Sequence, residues 1–362
     1  MLKRLVKKIV DLYFRNTIKF IKSEDGLDFE SLKQNNFVKL PDNRPINILK
    51  VYKNTNWEDP NFLPALKKFG NVIEYPMNHI NYYSLSWIIY KRQKFNKELL
   101  EYVNKLISEK KIDMIFFYVS ALIISPKTLN EIKKLKIPTV NLSFDDTIGF
   151  KSYPIPGGYA GVNDICQYIT VNVTSVKERL PDYYNQKAFC IYLPLAANED
   201  VYQKLDLKKD IDVSFVGRNY GSRGESIKYL TEKGINVHAY GPGFPNGSIN
   251  TGQIVEIFNR SKITLGFSEV SGLKITTLKA RDFEAGLCGV FYLTSHNPLL
   301  AEIFKENEEI VFYRNNEELI SKINYYLSHE TEREQIADKF RQKCLKNHTW
   351  QIRFREIFSL LK

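Results

Sequence analysis

The segment RDFEAGLCGVFYLT, residues 281–294, decides how this chain is interpreted. Its first part has the pattern of a helix that ends at a small-residue turn, Cys288-Gly289, and its last five residues form a short apolar strand. Arg281 and Glu284 are three residues apart, so they lie on the same face of the helix. A helix that runs into a strand in this way is typical of an α/β domain.

Arg281 and Glu284 supply one cation and one carboxylate on a single helix face. In an α/β domain, such a cation can bind phosphate and such a carboxylate can bind the diol of a ribose. The alternative is an ordinary helix with an ion pair on its surface. Periodicity alone favours the ordinary helix, so the choice depends on the surrounding sequence.

Apolar, strand-like segments alternate with helical segments along most of the chain. A first series of strands is predicted at residues 46–52, 72–75, 112–119, 139–144, 169–173 and 189–193. The pattern restarts with strands at residues 211–216, 235–240, 263–267, 290–293 and 310–313. This alternation predicts parallel βαβ architecture in both halves.

The break between the two series falls between Pro194 and Lys209. The fold class is therefore α/β, with two Rossmann-like domains at residues 23–200 and 201–345. A basic amphipathic helix is predicted at residues 1–22, and a closing helix at 346–362. Two such domains are expected to face each other across a cleft, where ligands bind in these folds.

The run that carries Arg281 and Glu284 resembles the signature helix of the spore-maturation-protein (CgeB-like) glycosyltransferases. The resemblance extends from the turn at residues 216–218 through the segments 296–304, 308–313, 317–319, 325–327 and 348–353. It implies the two-domain GT-B fold and an enzyme that uses a nucleotide-sugar donor. It also implies that Arg281 contacts the diphosphate of the donor and that Glu284 holds the ribose hydroxyls.

A turn at residues 217–224 follows a predicted strand and opens a helix. It contains three glycines together with Arg218 and Arg223. Free N–H groups at a helix N-terminus bind anions, and arginine suits phosphate, although a plain βα turn is the alternative. The resemblance implies that Gly217, Arg218 and Arg223 face the donor diphosphate.

The turn that begins Tyr240-Gly241 also follows a predicted strand. Its glycines permit a tight turn near a ligand, and a simple surface turn would use them equally well. The resemblance implies that Tyr240 and Gly241 lie by the nucleotide base. Lys279, which closely precedes Arg281, is a further candidate for contact with sugar or phosphate.

Asp145 and Asp146 follow the strand predicted at residues 139–144, at a carboxyl edge. A carboxylate there could act as general base on an acceptor hydroxyl. Alternatively, these aspartates cap the next helix. His79 follows an earlier strand and is a weaker candidate for the same catalytic role, since a lone histidine is more often a surface or packing residue.

No metal or cofactor is expected. Asp210-Ile211-Asp212 has the form of a metal-binding D-x-D motif, but it lies at the start of its strand, at the wrong edge for a ligand. Arginines and helix N-termini can stabilise a leaving diphosphate without a metal. Retaining GT-B enzymes commonly carry two glutamates separated by seven residues. If Glu284 is the second of them, the first would be at position 276, which is Thr276, so the stereochemical outcome does not follow.

The chain of 362 residues carries a formal charge of +11, which suits a phosphorylated ligand, a membrane surface or nucleic acid. We find no nucleic-acid motif. Seven basic residues between 1 and 22 oppose an apolar stripe, so that helix could lie in an anionic membrane interface, or pack its stripe on the domain. Four scattered cysteines and the lack of an apolar span or leader pattern suggest a cytoplasmic protein, with peripheral binding to the inner face of the membrane left open.

The sequence thus predicts a glycosyltransferase that moves a sugar from a nucleotide-sugar donor to a glycan or lipid-linked glycan. A second interpretation is a non-catalytic protein with the same fold that binds a glycan or polyanion. The missing glutamate at position 276 and the lack of a clear base keep it open.

Overall fold

The computed structural model describes residues 37–77, 80–156, 158–270 and 273–362. The helix predicted at residues 1–22 and the catalytic candidate His79 lie outside these residues. The described chain divides into two compact units. The first holds the residues up to Thr55 together with Leu66–Pro194 and Phe354–Lys362, and the second holds Asn56–Ala65 and Leu195–Arg353.

The first unit is built on a six-stranded parallel sheet with the order β2-β1-β3-β4-β7-β8. Its strands are β1 (Ile46–Val51), β2 (Gly70–Glu74), β3 (Met114–Phe117), β4 (Thr139–Ser143), β7 (Val171–Thr174) and β8 (Cys190–Tyr192). A short antiparallel hairpin joins β5 (Pro154–Ile155) to β6 (Gly158–Tyr159). Strands β3, β4 and β7 are buried along their whole length, as expected for a parallel sheet that is covered on both faces.

Helices connect these strands and cover the sheet. Helix α1 (Glu58–Lys67) lies between β1 and β2 in the chain, but its residues up to Ala65 belong to the second unit. The helices of the first unit are α2 (Arg92–Ser108), α3 (Pro126–Lys134), α4 (Asp146–Gly149) and α5 (Leu180–Asn185), with a π-helical turn at Trp87–Lys91 before α2. Helix α3 begins where Ser125 accepts a hydrogen bond from the Thr128 N–H, with Pro126 in the first turn. The apolar faces of α2 and α3 pack with β1 and β3 in one core that includes Leu99, Leu129 and Phe117.

The second unit contains a five-stranded parallel sheet with the order β10-β9-β11-β14-β15. Its strands are β9 (Ile211–Val216), β10 (Val237–Tyr240), β11 (Ser261–Gly266), β14 (Phe291–Ser295) and β15 (Val311–Tyr313). The hairpin β12 (Glu269–Val270) and β13 (Leu273–Thr276) follows β11. The strand order reverses direction at β9, so the ends of β9 and β11 flank the position where parallel α/β sheets bind ligands.

The helices of the second unit are α6 (Arg223–Glu232), α7 (Thr251–Arg260), α8 (Arg281–Cys288), α9 (Pro298–Ile303), α10 (Asn316–Ser328) and α11 (Glu330–Asn347). The last helix, α12 (Trp350–Ser359), begins in the second unit, and the chain from Phe354 onward belongs to the first. Residues 56–65, which the sequence assigns to the first domain, belong to the second unit because Trp57 and Asn61 bind Glu284 there.

Helix α8 is held in place by small residues and one buried carboxylate. Gly286 faces α11 so closely that a Cβ atom would overlap the Cys344 sulfur and press on the Phe340 ring. Gly289 ends the helix in the left-handed conformation, with φ of 69°. The carboxylate of Asp282 accepts from the Tyr292 hydroxyl at 2.6 Å and from the Lys279 N–H at 2.6 Å. These contacts fix the face that carries Arg281 and Glu284.

We expect Gly286→Ala to destabilise the second unit by about 1–3 kcal/mol, because the new methyl group overpacks the contact with α11. The change is measured as a shift of the urea unfolding midpoint. The control is Gly252→Ala in α7, where the nearest atom to a new Cβ lies at 3.4 Å. That control should leave the midpoint unchanged or raise it, since alanine favours helix. Equal effects of the two changes would contradict the packing argument.

Candidate functional site

The carboxyl ends of β9, β10 and β11 meet at one edge of the second sheet and carry the predicted glycine turns. The Gly217 N–H donates to the Tyr240 carbonyl at 2.8 Å, and the Asn219 N–H donates to the Pro242 carbonyl at 2.9 Å. Gly241, with φ of 131°, approaches the Gly217 carbonyl so closely that a Cβ there would overlap it. The structure therefore brings Gly217, Tyr240 and Gly241 together in one bonded loop pair.

Arg281 extends from the first turn of α8 to this loop pair. Its Nε donates to the Val216 carbonyl, and its guanidinium lies 4.7 Å from the centre of the Phe215 ring. A Cβ on Gly217 would overlap Arg281 Nη2, so only glycine permits this approach. Arg281 Nη1 is buried and has no hydrogen-bond partner within the described chain. Arg223 Nε, beneath the same turn, is also buried without such a partner, so two charged donors at the turn are unsatisfied by the described chain.

Arg223 is buried beneath the same turn and shapes it. Its guanidinium donates to the Arg218 carbonyl at 2.9 Å, the Tyr220 hydroxyl at 2.9 Å and the Phe267 carbonyl at 3.1 Å. It lies 3.9 Å from the centre of the Tyr220 ring. Burial, together with the nearby charge of Arg281, lowers the pKa of Arg223 to about 10. Arg218, in contrast, is exposed.

Two guanidinium groups therefore share the edge of the sheet at Phe215. Phe215 stacks with both, since its ring centre is 4.7 Å from the Arg281 guanidinium and 5.6 Å from that of Arg223. Like charges repel, and burial strengthens the repulsion. A bound anion would relieve it, which makes this edge a candidate site for phosphate. Phe215 could not be recognised from the sequence, because an apolar residue late in a strand is ordinarily a core residue.

Glu284 is buried and is held by donors from other parts of the second unit. Its carboxylate accepts from Trp57 Nε1 at 2.9 Å and from Asn61 Nδ2 at 3.3 Å, and it also binds the Tyr202 hydroxyl. Burial raises the pKa of this carboxyl, and the three donors partly offset that increase. No ion pair joins Glu284 to Arg281 among the described residues. The interpretation of this helix as a surface helix with an ion pair is therefore wrong.

Aromatic residues support the donors of Glu284. Asn61 Oδ1 accepts from Trp350 Nε1 at 3.2 Å, and the Trp350 ring packs edge-on against Phe62 with centres 4.7 Å apart. Trp57 is 227 positions from Glu284 in the chain. A single sequence offers no local pattern that would connect two such distant residues, so Trp57, Asn61 and Tyr202 were missed.

Lys279 lies just before α8, near Arg281 in the chain. Its Nζ donates to the Thr277 hydroxyl at 2.7 Å, and its N–H donates to Asp282. The side chain is partly buried. These contacts tie the segment before the helix to its first turn, so Lys279 has a structural role in this geometry.

Asp145 and Asp146 lie in the first unit and have different surroundings. Asp145 is exposed beyond the end of β4. Asp146 is fully buried, and its carboxylate accepts from the hydroxyls of Ser143, Thr174 at 2.6 Å and Tyr183 at 2.7 Å. Burial raises the pKa of Asp146 to about 6, although the hydrogen bonds from the three hydroxyls act to lower it. This network joins β4, β7 and α5, so the structure favours a structural role for Asp146.

Asp210 and Asp212, which have the form of a D-x-D motif, are both ion-paired at the amino end of β9. Arg260 binds Asp210 at 2.8 Å, and Lys262 binds Asp212 at 2.6 Å. In the part of the chain that the structure describes, no group of three or more histidine, cysteine, aspartate or glutamate side chains could hold a metal ion.

Comparisons with known proteins extend this picture. Residues 223–359 match a family model described as glycosyl transferase-like. No curated protein matches the sequence. A glycosyltransferase from Rickettsia africae superposes with a TM-score of 0.59 over 88% of this chain and 99% of that one, at 14% identity. Anabaena HepE in complex with UDP-glucose superposes with a TM-score of 0.57 over 87% of this chain and 98% of that one, at 10% identity.

The fold is GT-B. AviGT4, a glycosyltransferase of avilamycin A biosynthesis, has it as well, with a TM-score of 0.54, 13% identity and coverage of 88% and 98%. In this GT-B chain the glycosyl transferase-like match contains α6 and α8, and so Arg223, Arg281 and Glu284. The match and the shared fold support a transferase enzyme. Every helix in the described residues is too short or too polar to cross a membrane.

We expect the stability that Asp146 contributes to depend on pH. Its folded-state pKa of about 6 lies above the usual 3.8, so the folded state retains a proton that the unfolded state releases. The linked stability is fully present below about pH 4 and is lost as the pH rises through about 6. Asp146→Asn removes this titration. The free energy of unfolding of the wild type should therefore fall relative to the variant by about 2–3 kcal/mol between pH 4 and 8.

Urea unfolding of both proteins across that pH range measures the difference. Asp145→Asn is the matched control, because Asp145 is exposed and the change should alter stability by less than about 0.5 kcal/mol. A pH-independent difference between the wild type and Asp146→Asn would show that Asp146 stays ionised in the fold.

Proposed function

We propose that this protein is a glycosyltransferase that moves a sugar from a nucleotide-sugar donor to a glycan or lipid-linked glycan. The observation that carries the proposal is Arg281, which extends from helix α8 to the glycine turns at the ligand edge of the second sheet and keeps there a buried donor without a partner in the described chain. The glycosyl transferase-like match over residues 223–359 supports it. Membership of the CgeB-like group is part of the proposal and is based on the sequence resemblance.

The donor is held by the second unit in this proposal. Arg281 Nη1, the donor without a protein partner, binds the diphosphate, and Arg223 contributes its charge from below the turn. Glu284 binds the ribose hydroxyls, with Trp57 and Asn61 holding its carboxylate in place. A UDP-sugar is the first donor to test, because HepE, which shares the fold, has been solved with UDP-glucose.

The chemistry follows from the charges. As the bond between the sugar and the diphosphate of the donor breaks, negative charge builds up on the leaving diphosphate. Two guanidinium groups that are already in position stabilise that charge without reorganisation. A metal-independent reaction is therefore proposed. In the first unit, Asp145 is the proposed general base for the acceptor hydroxyl, since it is exposed at the end of β4 while Asp146 is buried.

We expect Glu284→Gln to remove the preference of the protein for an intact ribose. The wild type should bind UDP about 10- to 100-fold more tightly than 2′,3′-dideoxy-UDP, because hydrogen bonds to a charged group contribute about 1.5–3 kcal/mol. In the variant this ratio should fall to below about fivefold. Isothermal titration calorimetry measures the four dissociation constants.

Arg281→Met is the control for that experiment. This substitution should weaken the binding of UDP and of 2′,3′-dideoxy-UDP by the same factor, about tenfold or more, because it removes contact with the diphosphate that both ligands share. Uridine should bind the Arg281→Met variant as it binds the wild type. An unchanged ribose preference in Glu284→Gln would mean that Glu284 only holds Trp57 and Asn61, and would count against the proposed donor site.

We expect Asp145→Asn to lower the rate of sugar transfer by about 10²–10⁴-fold while UDP affinity stays unchanged, as for loss of a general base. The rate is measured as UDP release with a panel of nucleotide sugars and glycan acceptors. Donor turnover by Asp145→Asn at the wild-type rate would exclude Asp145 as the base. Binding of UDP without any turnover by the wild type would favour the non-catalytic glycan-binding or polyanion-binding protein.

A further inference from the structure

The segment between β2 and α2 exposes a cluster of large apolar side chains. Tyr83 is 75% exposed, Tyr90 74%, Leu85 53% and Ile89 44%. We call these four residues the apolar patch. Single exposed apolar residues are normal on protein surfaces, but four large ones within eight positions of the chain call for an explanation.

The patch is built on a fixed base. Trp87, in the middle of the segment, is buried and donates from Nε1 to the Leu122 carbonyl at 3.0 Å. Its ring packs against Phe95 with centres 5.2 Å apart. Arg92 donates to the Ala121 carbonyl at 2.6 Å from the first turn of α2. Because the inner side is anchored in this way, the outer side chains have no core into which to turn.

A π-helical turn, Trp87–Lys91, forms part of the same segment. Such turns are rare and occur frequently at functional sites. Here the turn keeps Trp87 buried while Ile89 and Tyr90 point outward. The π-helical turn therefore leaves these side chains exposed, whereas a regular amphipathic helix would tend to bury them.

Positive charge follows directly after the apolar patch. Residues 80–97 contain Lys91, Arg92, Lys94 and Lys97 and no acidic residue. Lys94 and Lys97 have side chains that are 78% and 79% exposed, and they approach Glu98 and Glu101 only at 3.7 and 3.8 Å. Exposed pairs of this kind contribute little, so both lysines can bind another anion.

We propose that the apolar patch and the lysines at 91, 94 and 97 dock the protein on an anionic lipid bilayer. Leucine and isoleucine enter the interfacial region, tyrosines sit at the headgroup level, and lysines bind anionic headgroups. A protein partner fits less well, because lysine is depleted in the cores of protein interfaces. None of its residues belongs to the segment 1–22, for which the sequence predicts a basic amphipathic helix.

The position of the patch suits the acceptor in the proposed function. Strands β2 and β4 are parallel members of one sheet, so their carboxyl ends lie at the same edge. The patch follows β2, and Asp145 follows β4. A protein docked through the patch would thus bring the edge that carries Asp145 to the bilayer, where a lipid-linked acceptor is found. This step alone depends on the proposed function.

Vesicle flotation of the full-length protein tests the proposal. The probes are phosphatidylcholine vesicles with and without roughly 30% phosphatidylglycerol, to vary the surface charge. In the variant Leu85→Ser/Ile89→Ser/Tyr90→Ser, the partition coefficient on anionic vesicles should fall by about tenfold or more, because three apolar contacts with lipid are lost. The matched control is Leu205→Ser/Leu207→Ser, which changes residues that are 42% and 41% exposed in the second unit. It should bind as the wild type does.

The lysines are tested separately. In the variant Lys91→Gln/Lys94→Gln/Lys97→Gln, the partition coefficient on anionic vesicles should fall by about fivefold for each lysine that contacts the membrane surface. Its partition coefficient on neutral vesicles should equal that of the wild type. Retention of wild-type binding in the apolar variant would overturn the proposal and leave residues 1–22 as the membrane contact. So would light scattering that shows a wild-type dimer and a monomeric patch variant, since the patch would then join two copies.

UDP affinity provides the independent readout. Both patch variants should bind UDP with the wild-type dissociation constant, because the patch and the nucleotide site lie in different units. A wild type that binds vesicles but no nucleotide would refute the proposed donor and leave the docking surface intact. A wild type that binds UDP but partitions equally onto neutral and anionic vesicles would refute the docking surface alone.

Discussion

Burial of charge on one short helix is the constraint around which the second unit is arranged. Helix α8 carries Arg281, Asp282 and Glu284 within four residues, and both carboxylates are buried. Burying a charge costs several kcal/mol unless hydrogen bonds replace the lost water. Asp282 is satisfied by Tyr292 and the Lys279 N–H, and Glu284 by Trp57 and Asn61. Of these three residues, only Arg281 retains a buried donor without a partner within the described chain. The inference of an anion site follows from this imbalance.

The sequence predicted the strands well because their burial leaves a local pattern. Strand β9 occupies the predicted residues 211–216, and β4 ends one residue before the predicted limit. Parallel strands buried on both faces appear as short apolar runs between turns, and such runs can be located from composition. The hairpin of β12 and β13 was missed, since its strands are two and four residues long and carry no alternating pattern.

The site was predictable only in part. Gly217, Arg223 and Arg281 could be named because a glycine turn and an arginine have local signatures. Their arrangement in space could not be predicted, since it depends on how Phe215 and the two guanidinium groups pack. Adjacent aspartates pose the same difficulty. Asp145 and Asp146 are neighbours with the same side chain, but the turn after β4 exposes Asp145 and buries Asp146 against hydroxyls of β7 and α5 that are distant in the chain.

In the two proposals, positive charges of the chain have two different roles, which are binding of a diphosphate and docking on an anionic membrane. Arg281 and Arg223 act at close range in a largely buried setting, where salt screens little. The lysines at 91, 94 and 97 are in water, and their attraction to an anionic surface extends over about 8–10 Å at physiological salt and is screened as salt rises. A net charge of +11 therefore does not describe one electrostatic surface. Contact with a membrane would vary with ionic strength, while the hold on a diphosphate would vary much less. In the two proposals, these responses to salt differ because the lysines are exposed to water and the two arginines are largely shielded from it.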